Sequence, residues 1–132
     1  MGDLTANFSE HEFACQDGFC PHCGGCSPVD DRIVDICQEI RDYLEVPLKI
    51  NSGFRCITYN RTIGSEDTSQ HCRGKAVDIA IPFGVPPENF FDVCEEVLRG
   101  NTNDGGGGMG RYDTFVHLDV RNGGPARWDY RK

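Results

Sequence analysis

Basic residues are in short supply: 13 Lys and Arg stand against 21 Asp and Glu, a formal charge of −8. The cations are scattered rather than grouped, so neither a nucleic acid nor an anionic membrane surface is the expected partner. Long apolar runs are missing too. AVDIAI and the stretch around FVHLDV fall far short of the roughly 20 residues that a bilayer-spanning helix needs. The start, MGDLTANFSEHEF, lacks the basic and apolar regions of a secretory leader, and Ala6 stands where a myristoylation signal has Ser or Thr. The expected location is therefore the cytoplasm in which the chain is made, unless another agent releases it. No Gly-Lys-Ser/Thr follows the glycines from Gly105 to Gly108, which excludes a phosphate loop. No internal repeat is present, and residues 1–132 suffice for one domain with its own core.

What is present is α/β punctuation in a short space. Ser9 followed by Glu12 fits a capping box and predicts a short helix around SEHEFA. Ile33, Ile36, Cys37, Ile40 and Leu44 recur at helical spacing behind Asp30 and Asp31. PPENFFDVCEEVLRG opens on proline and closes on glycine, predicting a second long helix with Phe90, Phe91, Cys94, Val97 and Leu98 inward. VPLKINSGFR, KAVDIAI and TFVHLDV read as strands, and YNRTIGSEDT as a short turn or helix and then loop. ARWDY reads as a fourth strand, paired with the third after a turn at Asn122-Gly123-Gly124. NTNDGGGGMG reads as a flexible link beside the cleft. The expected fold is α+β: a small antiparallel sheet packed against two main helices, with a zinc site in a cleft on the sheet.

The chemistry begins at SQHCRGKAVD. Asp78 falls inside an apolar strand, where an unpaired carboxylate is costly and a metal ion removes most of that cost. His71 precedes it, and Gly74 lets the chain turn back so that the two meet. A third ligand is available in His117, centred in TFVHLDV, although a histidine satisfied within a core is the commoner reason for that placement. Three ligands, His71, Asp78 and His117, leave a fourth zinc position open to water, as catalytic sites do.

SQHCRGKAVD also resembles Ser-x-His-x-x-Gly-x-Ala-x-Asp, the first zinc motif of the M15 peptidases. FVHLDVR, with GMGRY before it and ARW after it, is similar to the second. INSGFR resembles the family's strand ending in arginine, and NFSEHEFAC the start of its small single-domain branch. These are the zinc D-Ala-D-Ala carboxypeptidases and dipeptidases and the phage L-alanyl-D-glutamate endopeptidases; the hedgehog signalling domain shares their fold. The resemblance implies a zinc peptidase cutting peptidoglycan stem peptides, of D,D-carboxypeptidase or L-Ala-D-Glu endopeptidase type. It implies His71, Asp78 and His117 as zinc ligands, Arg55 as the holder of a substrate carboxylate or carbonyl oxygen, and Ser69 as a hydrogen-bonding partner of the substrate.

One position departs from that pattern. Better-known members carry Glu or Asp three residues before the second histidine, where this chain has Thr114. The substitute base is Asp119, which shares a strand face with His117, or Asp113, which needs a bulge or turn to reach in. Asp119 has a second possible role, orienting a ligand. Loss of the base leaves an alternative function: an inactive zinc-binding module or a phage structural protein of the same fold.

Tyr112 is a candidate donor to an oxyanion or a cap on the sheet, and Trp128, with Arg127, a wall of the peptide groove or a core residue. Of the eight cysteines, Cys15, Cys20, Cys23 and Cys26 cluster in a Gly-rich loop that suggests a second, structural zinc, with His22 able to replace one thiolate; disulfides are the rival reading. Cys37 and Cys94 read as small core residues, Cys56 and Cys72 as neighbours of the site. Those two admit a mutual disulfide, and Cys72 a nucleophile's role beside a histidine base. The expected molecule is a monomer that binds a D-Ala-D-Ala-type or other stem peptide, with no nucleic acid and no membrane. The corresponding biology is that of a phage or prophage lysis enzyme freed at the cell wall, or of a cytoplasmic dipeptidase.

Overall fold

Apolar residues at helical spacing produce the long helices that the sequence predicts. The computed structural model describes residues 7–15, 20–21, 23, 29–65, 69–102, 106–121 and 125–131. Helix α1 (Glu10–Phe13) starts after Ser9, whose N–H donates to Glu12 Oε1 at 3.0 Å, the glutamate half of a capping box. Helix α2 (Asp31–Leu44) is capped by Asp30, which accepts from the Arg32 N–H, and buries Ile33, Val34, Ile36, Cys37 and Ile40. Strand β1 (Ile50–Ser52), helix α3 (Ile57–Thr62) and a 3-10 turn (Gln70–Arg73) follow. Then come strand β2 (Ala76–Ala80) and helix α4 (Pro87–Gly100), with proline at its first position as expected. Three strands complete the chain: β3 (Gly108–Arg111), β4 (Phe115–Asp119) and β5 (Ala126–Asp129). Among the described residues no helix is long and apolar enough to cross a membrane.

The five strands form one sheet in the order β1-β2-β4-β3-β5. Alternation divides its two faces. Val77, Ile79, Met109, Val116 and Leu118 point into a core shared with α2 and α4, together with Phe90, Phe91 and Leu98. Asp78, His117 and Asp119 lie on the opposite face, so the helices support the sheet while its other side is left for chemistry. Cys37 and Cys94 are buried in the core, as their helical positions require, and burial pushes both thiols up.

Two expectations about the sheet are corrected. It is mixed, not wholly antiparallel, because β5 pairs with β3 in parallel register, Gly108 opposite Ala126 and Gly110 opposite Trp128. ARWDY therefore does not form a hairpin with TFVHLDV; β5 lies on the edge of β3 opposite to β4. The second correction concerns the end of NTNDGGGGMG, which forms strand β3 rather than a flexible link. A Cβ at Gly108 would lie 2.4 Å from Asp119 Oδ2, and one at Gly110 would lie 2.2 Å from Trp128 Nε1. The glycines are the price of that close approach. A pattern read from side chains cannot detect a strand face that has none.

Arg127 fastens the sheet edge to α4. It donates to Glu95 through Nε (2.8 Å) and Nη2 (2.6 Å), and through Nη1 to the carbonyls of Gly107 and Ala126. It thus faces the helix and not the groove beside Trp128. Hydrogen bonding from Arg127 outweighs burial and holds the Glu95 carboxyl below the usual glutamate range. Because the folded pKa is the lower one, this stabilisation is present above the unfolded value of about 4.3 and is lost as pH falls through that range. Glu95→Gln is expected to cost about 1 kcal/mol at neutral pH, since the pair is only partly shielded from water. Urea denaturation should show the gap between variant and parent closing below about pH 4.

Candidate metal centre and its groove

Local geometry at SQHCRGKAVD brings His71 back onto the sheet. Ser69 caps the 3-10 turn by accepting from the His71 N–H, and Gly74 closes it in the left-handed region at φ 69°. The chain then enters β2, where Asp78 sits directly opposite His117 of β4. Asp78 Oδ1 lies 3.2 Å from His71 Nε2 and 2.9 Å from His117 Nδ1. The donor atoms of all three residues lie within 4.8 Å of one another.

The partners on the far side of each ring fix which nitrogen offers its lone pair. His71 Nδ1 is 2.7 Å from the Gly53 carbonyl, which can only accept, so Nδ1 carries the proton and Nε2 faces Asp78. His117 Nε2 is 2.7 Å from Asp119 Oδ2. An ionised carboxylate can only accept, so Nε2 donates and Nδ1 turns to Asp78. Two imidazole lone pairs and a carboxylate oxygen thus converge, an arrangement that repels itself unless a cation or an added proton lies between. Ligands about 2.0–2.2 Å from a tetrahedral zinc stand roughly 3.3–3.6 Å apart, close to the spacing here. The donor set fits zinc, and both histidines have the partners that hold a metal ligand in orientation.

The electrostatics follow from the same contacts. Burial alone would raise the Asp78 carboxyl, but hydrogen bonds with His117 and His71 outweigh it and hold it well below the carboxylate range. Burial opposes charge on His117, yet its bonds to Asp119 and Asp78 prevail and raise its pKa. Asp119 is fully buried. Its Oδ2 accepts from His117 and from Arg121 Nη2 (2.7 Å), its Oδ1 from Arg121 Nε (2.8 Å) and the Arg121 N–H (3.2 Å). Against the effect of burial, these donors keep it ionised far below the usual range.

A groove of about 470 Å³ opens over the three donors, with Arg55, Ser69, Tyr112 and Trp128 on its walls. Arg55 follows β1 and is tied to the 3-10 turn by its N–H to the His71 carbonyl (3.1 Å) and by Nη2 to Ser69 Oγ (3.4 Å). Its Nε is buried with no hydrogen-bond partner among the described residues. Opposite, Tyr112 stacks on Phe115 with ring centres 4.3 Å apart, and its hydroxyl accepts from Trp128 Nε1 at 2.9 Å. The Trp128 ring lies 5.3 Å from that of His117.

The structure thus gathers His71, Asp78, His117, Arg55, Ser69, Tyr112 and Trp128 around one groove. Asp113 is exposed and lines a neighbouring cavity with Glu88, Asp129 and Arg131 instead. Thr114 is also exposed, its carbonyl accepting from the Ile81 N–H. Both His71 nitrogens are taken by Gly53 and Asp78, which leaves none to act as base for Cys72. Cys56 and Cys72 are both reduced, so they form no mutual disulfide. Cys15, Cys20 and Cys23 do come together, in company with Cys56; Cys26 and His22 lie outside the described residues. Sequence reading missed the roles of Gly53, Gly108, Gly110 and Arg121. The alternation Gly-Met-Gly-Arg before Tyr112 is the period-two signal that marks β3 in retrospect.

No curated protein matches the chain. A family model described as Peptidase M15 matches residues 6–119, a segment that contains all three donors, Arg55 and Ser69, and ends before Trp128. With that span of the sequence matched, the chain belongs to the M15 peptidase family.

Proposed function

We propose that the protein is a zinc peptidase acting on peptidoglycan stem peptides, by D,D-carboxypeptidase or L-Ala-D-Glu endopeptidase cleavage. The observation that carries this reading is the convergence of two imidazole lone pairs and the Asp78 carboxylate at the floor of a groove that Arg55 also lines. Zinc held by His71, Asp78 and His117 supplies an acidified water and a Lewis acid for the scissile carbonyl. The protein's own residues supply the rest. Arg55 offers its guanidinium group, on the groove wall, to a substrate carboxylate or carbonyl oxygen. Ser69 adds a hydroxyl on the same side. Tyr112 accepts from Trp128, which leaves its own O–H to donate to an oxygen that gains charge. Trp128 and Tyr112 give the peptide an aromatic wall. Asp119 acts on His117 as a positioning residue, because its oxygens already accept from His117 and Arg121.

A second reading is favoured by one observation. Apart from Asp78, no carboxylate among the described residues lines the groove, so a zinc-holding module that binds the peptide without cutting it is the competing function. Digestion of purified peptidoglycan by the zinc-loaded protein separates the two. Mass spectrometry is expected to show either released D-alanine or a new D-Glu amino terminus, and the product names the bond. Full zinc occupancy with intact stem peptides would overturn the peptidase reading.

A further inference from the structure

We propose a second metal site, a closed zinc centre of four thiolates from Cys15, Cys20, Cys23 and Cys56. The sulfurs of these residues lie within 4.8 Å of one another, and Cys20 and Cys56 are 3.8 Å apart. A tetrahedral zinc with Zn–S bonds of about 2.3 Å requires sulfur separations of about 3.8 Å. The fourth member comes from far along the chain: Cys56 is 41 residues from Cys15. Two backbone donors already serve the sulfurs. The Cys56 N–H points to Cys15 Sγ and the Tyr59 N–H to Cys56 Sγ, both at 3.4 Å, as groups do that offset thiolate charge around a bound metal.

Cys15, Cys20 and Cys56 are reduced, whereas Cys23 is in a disulfide in this structure. A dithiol reductant opens that bond, giving two thiols and becoming a disulfide itself. Four thiols then bind one zinc ion and release four protons. Metal binding and disulfide formation at Cys23 are therefore alternatives, chosen by the redox state around the protein.

The site has a structural task. Cys15 follows α1, whose Phe13 carbonyl accepts from the Phe54 N–H at 2.8 Å, and Cys56 caps α3 directly after Arg55. One ion would join the amino-terminal segment to the loop that carries the groove's arginine. A lone hydrogen-bonded turn has no comparable anchor.

Metal analysis of the full chain purified under reducing conditions tests this without reference to peptidase activity. The expected zinc content is two per chain, falling to one in Cys56→Ser and to one in His117→Ala. Cobalt in place of zinc should give a thiolate charge-transfer band in the parent and in His117→Ala, and none in Cys56→Ser. If Cys56→Ser does not fold, His117→Ala must still keep one ion and its thiolate band, and Cys26→Ser must keep both ions; loss of the thiolate-bound ion in Cys26→Ser would overturn Cys56 as the fourth ligand. A His117→Ala chain without metal overturns the site, as does mass spectrometry of alkylated protein showing Cys15, Cys20 or Cys56 oxidised in the metal-free parent.

Discussion

Asp119→Asn is expected to weaken zinc binding at the histidine site ten- to hundredfold, the usual consequence of losing the partner of a metal-bound imidazole. An asparagine keeps the shape but gives up a charge that accepts from His117 and is held by Arg121 on two nitrogens. Arg121 is then left half-buried without its counter-ion, so a loss of stability of some 1–3 kcal/mol should accompany the change. The decisive measurement is cleavage rate against added zinc. If Asp119 positions His117, saturating zinc restores most of the turnover. If Asp119 were the base, turnover would stay low at every zinc concentration and its pH profile would lose a limb. Asp113→Asn serves as the control, and its exposed place beside Arg131 predicts unchanged zinc affinity and rate.

Gly108→Ala should be the most damaging small substitution in the sheet. Its new Cβ would fall 2.4, 2.6 and 2.7 Å from the Asp119 carboxylate atoms. That carboxylate cannot swing away, because its donors fix both oxygens, so either they are abandoned or β3 shifts off β4. The expected loss is about 3 kcal/mol, combining overpacking with a broken buried ion pair. Gly110→Ala meets Trp128, a half-buried ring on the edge strand that can turn outward. Its stability cost should stay near 1 kcal/mol, while the lost Tyr112 contact shows as a raised KM. Chemical denaturation and kinetics on both variants check the order; an equal or reversed pair of stability losses would contradict it.

The convergence of His71, Asp78 and His117 was legible because Asp78 and His117 stand where a strand facing only a core would not place them, and Gly74 lets the chain bring His71 back to meet them. The two long helices were legible from their spacing and caps. Strand β3 was hidden because periodicity is a property of side chains, and two of its four residues have none. The partner of β5 was hidden because pairing is a long-range choice that local turn residues do not dictate. Asp119 was placed on the correct face by strand alternation, yet its hydrogen bonds depend on Arg121, just beyond the strand, curling back. Cys56 reads in the sequence as a neighbour of the groove and not as a member of the cysteine cluster, because it lies 41 residues from Cys15 and only the fold brings the two together.

The parallel pairing of β3 with β5 also orders the making of this protein. The β3–β4 pairing joins neighbours along the chain, whereas β5 pairs with β3 from beyond β4 in the sequence and is the later of the two to be synthesised. A nascent chain that has just produced Arg121 holds every ligand of the triad and still shows β3 as an open edge, ready to pair with another molecule. The strand that carries Trp128 to the groove wall thus also covers that edge of β3, and its own outer edge, only four residues long with Arg127 and Asp129 among them, is a poor template for a stranger.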